Sequence, residues 1–264
     1  MASLPLLPRL ELITPPAEND ESLYPLGISR GVDVPAVDSI GVRWLVEGEL
    51  AVALADRRGS AWQPMEHAKL LEAVHRQIDV LPLRFGTMLD EMNLRNLLTT
   101  RRQDYLDQLD DVNDASEIGA RIVLPDVAAS NAVEPPAAAP VSPSMAYLRE
   151  RHDHYQRCDL LDETVRRITN CVLERLAGTY RRWRRLASPT VNVIRLAFLA
   201  DRDLAWLCKR CLADYAAGHP ESQCTVLGPW PPYSFTDCTS NALGAVAENF
   251  DVGRQNVLDS VQCP

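Results

Sequence analysis

Residues 191–200 read VNVIRLAFLA, a run interrupted only by Asn192 and Arg195. It is too short to span a membrane, which takes about 20 apolar residues. Apolar at both alternating positions, it reads as a central strand covered on both sides. Working forward, Leu204–Ala217 has helical spacing and is stopped by Gly218 and Pro220. Cys224–Phe235 (CTVLGPWPPYSF) then returns as a strand. Working backward, Ser144 can cap a long helical region, Met145–Leu186, whose stripe is Val165, Ile168, Val172 and Leu176. Gly178 is its weak point, since glycine costs about 1 kcal/mol relative to alanine inside a helix. Glu117–Leu124 (EIGARIVL) precedes the helix as a further strand. The order β-α-β-α-β is a split pattern suited to a ferredoxin-like sandwich with helices on one face. Between strand and helix, residues 126–143 are rich in Ala, Pro and Ser with no surviving period, which predicts a flexible insertion.

The front of the chain reads β-β-β-α-β-α. Leu23–Arg30 is a strand weakened by Pro25, and Val42–Val46 and Leu50–Ala55 form a hairpin across Glu47-Gly48-Glu49. Pro64 opens a helix carrying Leu70, Leu71, Val74 and Ile78. Val80–Phe85 (VLPLRF) is a short apolar run with Arg84 in a buried-looking position. Thr87 and Asp90 have the form of a capping box, and Leu94, Leu97, Leu98, Tyr105 and Leu109 follow on one helical face. The expected fold class is α+β in two domains. An N-terminal mixed domain spans 23–113, and a C-terminal ferredoxin-like domain with extra helices spans 114–236. A flexible arm (1–22) precedes them and a tail (237–264) with one short helix, Leu243–Phe250, follows.

With 46% hydrophobic and 24% charged residues, the 264-residue chain can build a packed core. Its net charge is -9, and residues 1–126 hold 21 acidic against 12 basic side chains. The rest is balanced, so the acidic excess belongs to the front half. A pI near 5.1 argues against general nucleic-acid binding, because phosphate contacts need a basic footprint. The opening MASLPLLPRLELI lacks the basic start and long apolar run of a secretory signal. The seven cysteines therefore read as reduced thiols of a cytoplasmic protein.

Candidate chemistry is sparse. Cys208 and Cys211 have the spacing of a zinc or redox pair, but they lie three apart on one face of an amphipathic helix, where two small core residues are the simpler reading. His67 and His75 share a helix face two turns apart, too far to chelate one ion. They read as a satisfied structural pair, with His67 bonding across the sheet near Arg84. Arg181-Arg182-Trp183-Arg184-Arg185 could grip RNA, with Trp183 stacking on a base; as the cationic end of a helix it would instead complement the dipole. The phosphate-binding glycine motifs and the GxSxG elbow are absent, and no nucleophile, base and orienter assemble. No cofactor is expected. In Gly228-Pro229-Trp230-Pro231-Pro232-Tyr233-Ser234-Phe235, three prolines remove ladder donors and hold a stiff extended chain, confined to a sheet edge or another surface. Such a frame suits Trp230, Tyr233 and Phe235 to partner contact or to locking two domains.

Three stretches resemble the gas vesicle protein family GvpL/GvpF: VLPLRFGT (80–87) behind a helix bearing His67, FLADRD (198–203), and above all GPWPPYSF (228–235). Their order and spacing agree, and the resemblance covers roughly residues 23–236. It implies two α+β domains, the second a modified ferredoxin fold. It also implies a non-enzymatic accessory or minor structural protein of the gas-filled shells that give some microbes buoyancy. The implied partners are the small hydrophobic shell protein and other vesicle assembly proteins, with no nucleic acid and no lipid membrane. The implied location is the cytoplasm and the vesicle, and the chain is expected to be monomeric alone. Site residues on this reading are Trp230, Pro231, Pro232, Tyr233, Phe235, Arg84 and His67, for partner binding or domain locking. The competing reading is a small RNA- or metal-binding cytoplasmic protein, using the Arg181–Arg185 patch or the Cys208/Cys211 pair.

Overall fold

The computed structural model describes residues 23–34, 41–55, 63–124, 143–188 and 190–236. The expectations for the arm, for nearly all of the insertion and for the tail with its Leu243–Phe250 helix lie outside these.

In the first part, β1 (Pro25–Arg30), β2 (Val42–Glu47), β3 (Leu50–Ala55) and β4 (Leu81–Pro82) form an antiparallel sheet ordered β2-β3-β1-β4. The central strand β3 is buried along its whole length, and its sequence LAVALA explains the layering. Leu50, Val52 and Leu54 pack toward α2 (Glu91–Thr100) and α3 (Arg102–Asp111), while Ala53 and Ala55 pack toward α1 (Pro64–His75). The apolar run Leu94–Leu109 is two helices, broken at Arg101, rather than one. Asp90, not Thr87, is the N-cap of α2, its side chain accepting from the Asn93 N–H at 2.7 Å.

In the second part, β5 (Ala115–Val123), α4 (Pro143–Arg175), β6 (Arg182–Leu186), β7 (Val193–Asp201), α5 (Ala205–Gly218) and β8 (Gln223–Trp230) follow in order. The antiparallel sheet runs β6-β7-β5-β8. With β6 included, the order is β-α-β-β-α-β, the complete ferredoxin-like pattern. The sequence reading missed β6 by extending the long helix to Leu186. The helix instead stops at Arg175, and Gly178 (φ +80) turns the chain in a left-handed conformation that side chains rarely adopt. The Arg181–Arg185 patch is therefore an edge strand and not the end of a helix. The helix opens at Pro143, which takes the last position of the expected insertion. Ile118, Ile122, Ile194, Leu196 and Phe198 pack under α4 and α5 with Val165, Val172, Leu176, Cys208 and Leu212.

One apolar cluster joins the two sheets. It contains Ile28 and Val52 of the first, Leu94, Tyr105 and Leu109 of α2 and α3, Ala197 and Leu199 of the second, and Phe235.

Candidate functional site at the sheet junction

The strand expected over Cys224–Phe235 ends at Trp230, because Pro231 and Pro232 cannot donate to a ladder. β8 is an edge strand, as the prolines require. Beyond it the chain turns, with the Phe235 N–H donating to the Pro232 carbonyl at 3.1 Å. Pro231, Pro232 and Phe235 are buried and Tyr233 is half-buried. Phe235 lies in the cluster on the α2/α3 side of the first sheet, and Tyr233 packs against the cluster on the α1 side. Two aromatics two positions apart thus reach the apolar layers on both faces of that sheet. The guanidinium groups of Arg182 and Arg184 stand 5.9 and 5.6 Å from the Phe235 ring, within cation–π range. Gly228 makes the approach possible: its φ is +98, and a Cβ there would sit 2.6 Å from the Glu117 carbonyl oxygen.

A polar layer lies under this turn. The buried Glu117 carboxylate accepts from the Ser234 backbone N–H and hydroxyl, both at 2.7 Å. Burial pushes its pKa up, opposed by those two hydrogen bonds and by the charge of Arg184. Arg184 also donates to the Ser234 carbonyl at 2.9 Å. Burial pushes the Tyr233 phenol to about 12, helped by the nearby carboxylates of Glu117 and Glu72.

A second polar layer centres on Arg202. Its guanidinium donates to the carbonyls of His75 and Ile78 at the end of α1 and pairs with Asp79 at 2.7 Å. Asp79 in turn accepts from the Asp114 N–H at 2.9 Å. A cation at a helix C-terminus satisfies orphan carbonyls and complements the dipole. His75 is buried, 3.0 Å from the Ser116 hydroxyl through Nε2. Its pKa is lowered to about 4, chiefly by burial and also by the charge of Arg202, with Asp79 opposing both. The imidazole is thus neutral, and its Nδ1 lies 3.4 Å from an Arg202 N–H donor.

The remaining expected residues lie apart from these layers. His67 is buried and bonds the Leu83 carbonyl at 3.2 Å, one residue from Arg84. Burial lowers its pKa against that hydrogen bond, and the Phe85 ring stands edge-on at 5.7 Å. Arg84 itself is exposed, which corrects its buried reading: in VLPLRF the chain leaves the sheet after Pro82, so Leu83 turns in and Arg84 turns out. In the basic patch, Arg181 pairs with Asp201 and donates to the Asn113 carbonyl at 2.7 Å, and Arg182 reaches Asp111 at 3.3 Å. With Arg184 on Ser234, three of the four patch arginines are engaged within the chain. Cys208 is buried in α5, its thiol pushed to about 11 by burial, and Cys211 is half-buried beside it. Among the described residues no cluster of three or more His, Cys, Asp or Glu could hold a metal, and no helix is long and apolar enough to cross a membrane.

Sequence reasoning named His75 only as a structural histidine, and it missed Arg202, Asp79, Glu117 and Ser234. Arg202 had a signal, since it stands within FLADRD; Glu117 had a weaker one, a carboxylate at an inward position of an apolar strand. The described junction groups pair with each other and with backbone groups of both sheets.

Residues 13–237 match the family described as gas vesicle synthesis protein GvpL/GvpF. The chain is 30% identical over 201 residues to gas vesicle protein L of Streptomyces sp. (strain CB03234), covering 72% of this chain and 74% of that protein. Its fold is similar to the crystal structures of gas vesicle protein GvpF from Anabaena sp. PCC7120 (TM-score 0.62, 16% identity) and Microcystis aeruginosa (TM-score 0.61, 14% identity). Each comparison covers 81% of this chain and 98% of the other. With a match that takes in every described element, the chain belongs to the GvpL/GvpF family of gas vesicle synthesis proteins.

Proposed function

We propose that this chain is a cytoplasmic, non-enzymatic assembly or minor structural protein that binds the hydrophobic shell protein of the gas vesicle and other vesicle proteins. Family membership gives the role in gas vesicle formation. What supports the binding mode is a division of labour between aromatic surfaces. Phe235 and its prolines are buried at the junction, so residues 23–113 and 114–236 act as two domains locked by Trp230–Phe235, and partners are met elsewhere. The surface assigned to the shell protein is the front of α4, where Met145, Tyr147, Leu148 and Tyr155 are all exposed. An apolar display of this kind on a long helix suits an amphipathic partner.

Co-expression of the chain with the shell protein, followed by co-purification, tests the reading. Wild type retains shell protein, and a variant carrying Tyr147→Ser, Leu148→Ser and Tyr155→Ser retains much less while keeping its circular dichroism spectrum. Failure of wild type to retain any vesicle protein overturns the binding role. Full retention by the triple variant moves the contact off α4.

A further inference from the structure

The two edges of the second sheet are built differently. β6 (RWRRL) carries three arginines in five residues, and β8 (QCTVLGPW) carries no charged residue in eight. Charge on an edge strand blocks pairing with another chain, and an uncharged, partly apolar edge invites it. Two antiparallel copies of β6 would set arginine against arginine, which destabilises a sheet. Two copies of β8 meet no such penalty.

The parity of the hydrogen bonds shows what β8 offers. At the two ends of the β5–β7 ladder, the Leu124 N–H donates to the Asn192 carbonyl at 2.8 Å and the Arg202 N–H to the Asp114 carbonyl at 3.0 Å. Even-numbered residues of β5 thus turn their N–H and C=O groups toward β7, and odd-numbered ones turn theirs toward β8. Gln223, Thr225 and Leu227 stand opposite Val123, Arg121 and Gly119 and spend their backbone groups there. Cys224 and Val226 point theirs outward, and no other described residue bonds them. The next outward carbonyl, of Gly228, accepts from Lys209 of α5 at 2.6 Å, which places that flank of α5 above the edge. Ala213 and Ala216 follow Lys209 on the same flank, at i+4 and i+7. Ala213 is exposed and Ala216 half-buried, and such small side chains leave room beside the strand for a second helix.

We propose that two copies of the chain pair β8 against β8, antiparallel, about a two-fold axis at Thr225. Cys224 then stands opposite Val226 of the partner subunit in a hydrogen-bonded pair, and the symmetric pair repeats it, so the outward N–H and C=O groups of both residues are all used. Thr225 faces its own copy, and Leu227, 37% exposed in the single chain, lies beside Gln223 of the partner subunit. The two sheets become one, with the charged β6 at both rims. The contact is isologous and closes at two copies, a departure from the monomer that the family resemblance implies. It uses no residue of α4 and does not depend on the shell-protein contact.

Sedimentation equilibrium of the full chain tests it, with wild type expected at twice the chain mass at micromolar concentration. Thr225→Glu sets two carboxylates against each other across the axis, while within each copy the new side chain faces Arg121. It should keep the circular dichroism spectrum and raise the dimer dissociation constant several-fold. Val226→Pro removes an outward N–H that the ladder within the chain does not use, and should raise the constant about ten-fold or more. In a Cys224→Ser background, Thr225→Cys should form an intersubunit disulfide on mild oxidation, because Cα atoms in such a pair lie about 4.5 Å apart. Leu227→Cys should not, since its two copies stand about 13 Å apart along the strands. A wild type that stays monomeric overturns the proposal. A dimer that links through Leu227→Cys rather than Thr225→Cys, or that both edge variants leave unchanged, overturns it as well. Slow hydrogen exchange at Cys224 and Val226 in monomeric Thr225→Glu would mean that the chain covers its own edge, and overturns it equally.

Discussion

Two parts of the second unit carry aromatic side chains, and they end in opposite environments. GPWPPYSF at 228–235 puts Phe235 at 5% exposure, whereas the front of α4 leaves Tyr147 and Tyr155 at 58% and 53%. The difference lies in what each backbone offers its neighbours. The proline segment spends few N–H groups, so it can leave the sheet edge and press its side chains into another layer without stranding donors. Helix α4 satisfies its own backbone throughout and can project into solvent: 33 residues make it about 49 Å long at ~1.5 Å per residue. Among the described residues, its buried core positions begin at Val165. A rigid aromatic run is thus not by itself a sign of an external binding surface.

The contrast is broken most strongly at Phe235. Phe235→Ala removes a ring shared by both sheets, and large core truncations of this kind cost about 3–5 kcal/mol. Chemical unfolding should show that loss in a single transition for both units; a loss under about 1 kcal/mol would mean the ring is replaceable at the junction. Arg202→Met comes next. It strips Asp79 of its cationic partner, leaving only the Asp114 N–H among the described contacts, and frees the carbonyls of His75 and Ile78. Hydrogen bonds to charged groups contribute about 1.5–3 kcal/mol each, and partial exposure of this pair keeps the expected cost near 2 kcal/mol in total. Asp79→Asn, which keeps a hydrogen-bonding partner, should cost less.

These sites show where the sequence was legible. VNVIRLAFLA declared a central strand because apolar residues at both parities have few other uses, and LAVALA did the same for β3. The hairpin at Gly48 and the helix at Pro64 were readable from turn and cap chemistry. β6 was not, because RRWRRL has no alternation of polar and apolar residues and continues a helical charge pattern. Only its pairing with β7 makes it a strand, and tertiary pairing overrides local propensity there. Arg84 was misread for a related reason: a short apolar run does not say where the chain leaves the sheet. GPWPPYSF could be located at an edge, but which surface it faced depended on the first unit, far earlier in the chain, so its reach into the apolar layers of that unit could not be read locally.

His75 gives a third, pH-dependent way to test the junction. Its folded pKa, about 4, lies below its ordinary value of 6.5. The unfolded chain therefore takes up the proton first as pH falls. The stability contributed by the neutral imidazole is fully present above pH 6.5 and is lost as pH falls toward 4. By linkage, about 2 kcal/mol should disappear between pH 7 and pH 5. The raised carboxyl of Glu117 acts in the opposite sense, favouring the fold as pH drops toward its unfolded value, so the comparison must be with His75→Gln. Urea unfolding at the two pH values should show a steeper loss for wild type than for the variant. Equal losses would place the titration elsewhere.

The smallest expected effect on stability sharpens the contrast from the other side. Leu148→Ser and Tyr155→Ser remove side chains more than half exposed on α4, and surface changes of this kind stay within about 0.5 kcal/mol. Tyr155 also accepts from Arg151 at 3.0 Å, an exposed contact within one helix whose loss adds little. If the front of α4 meets the shell protein, the pair should leave the unfolding midpoint in place while retention of shell protein falls. A milder junction variant, Phe235→Leu, should do the reverse, lowering the midpoint yet sparing retention below it. Should both variants lower retention only in proportion to the unfolded fraction, α4 would be a passive strut, and the distinction between a buried lock and an exposed contact would have to be drawn on another surface.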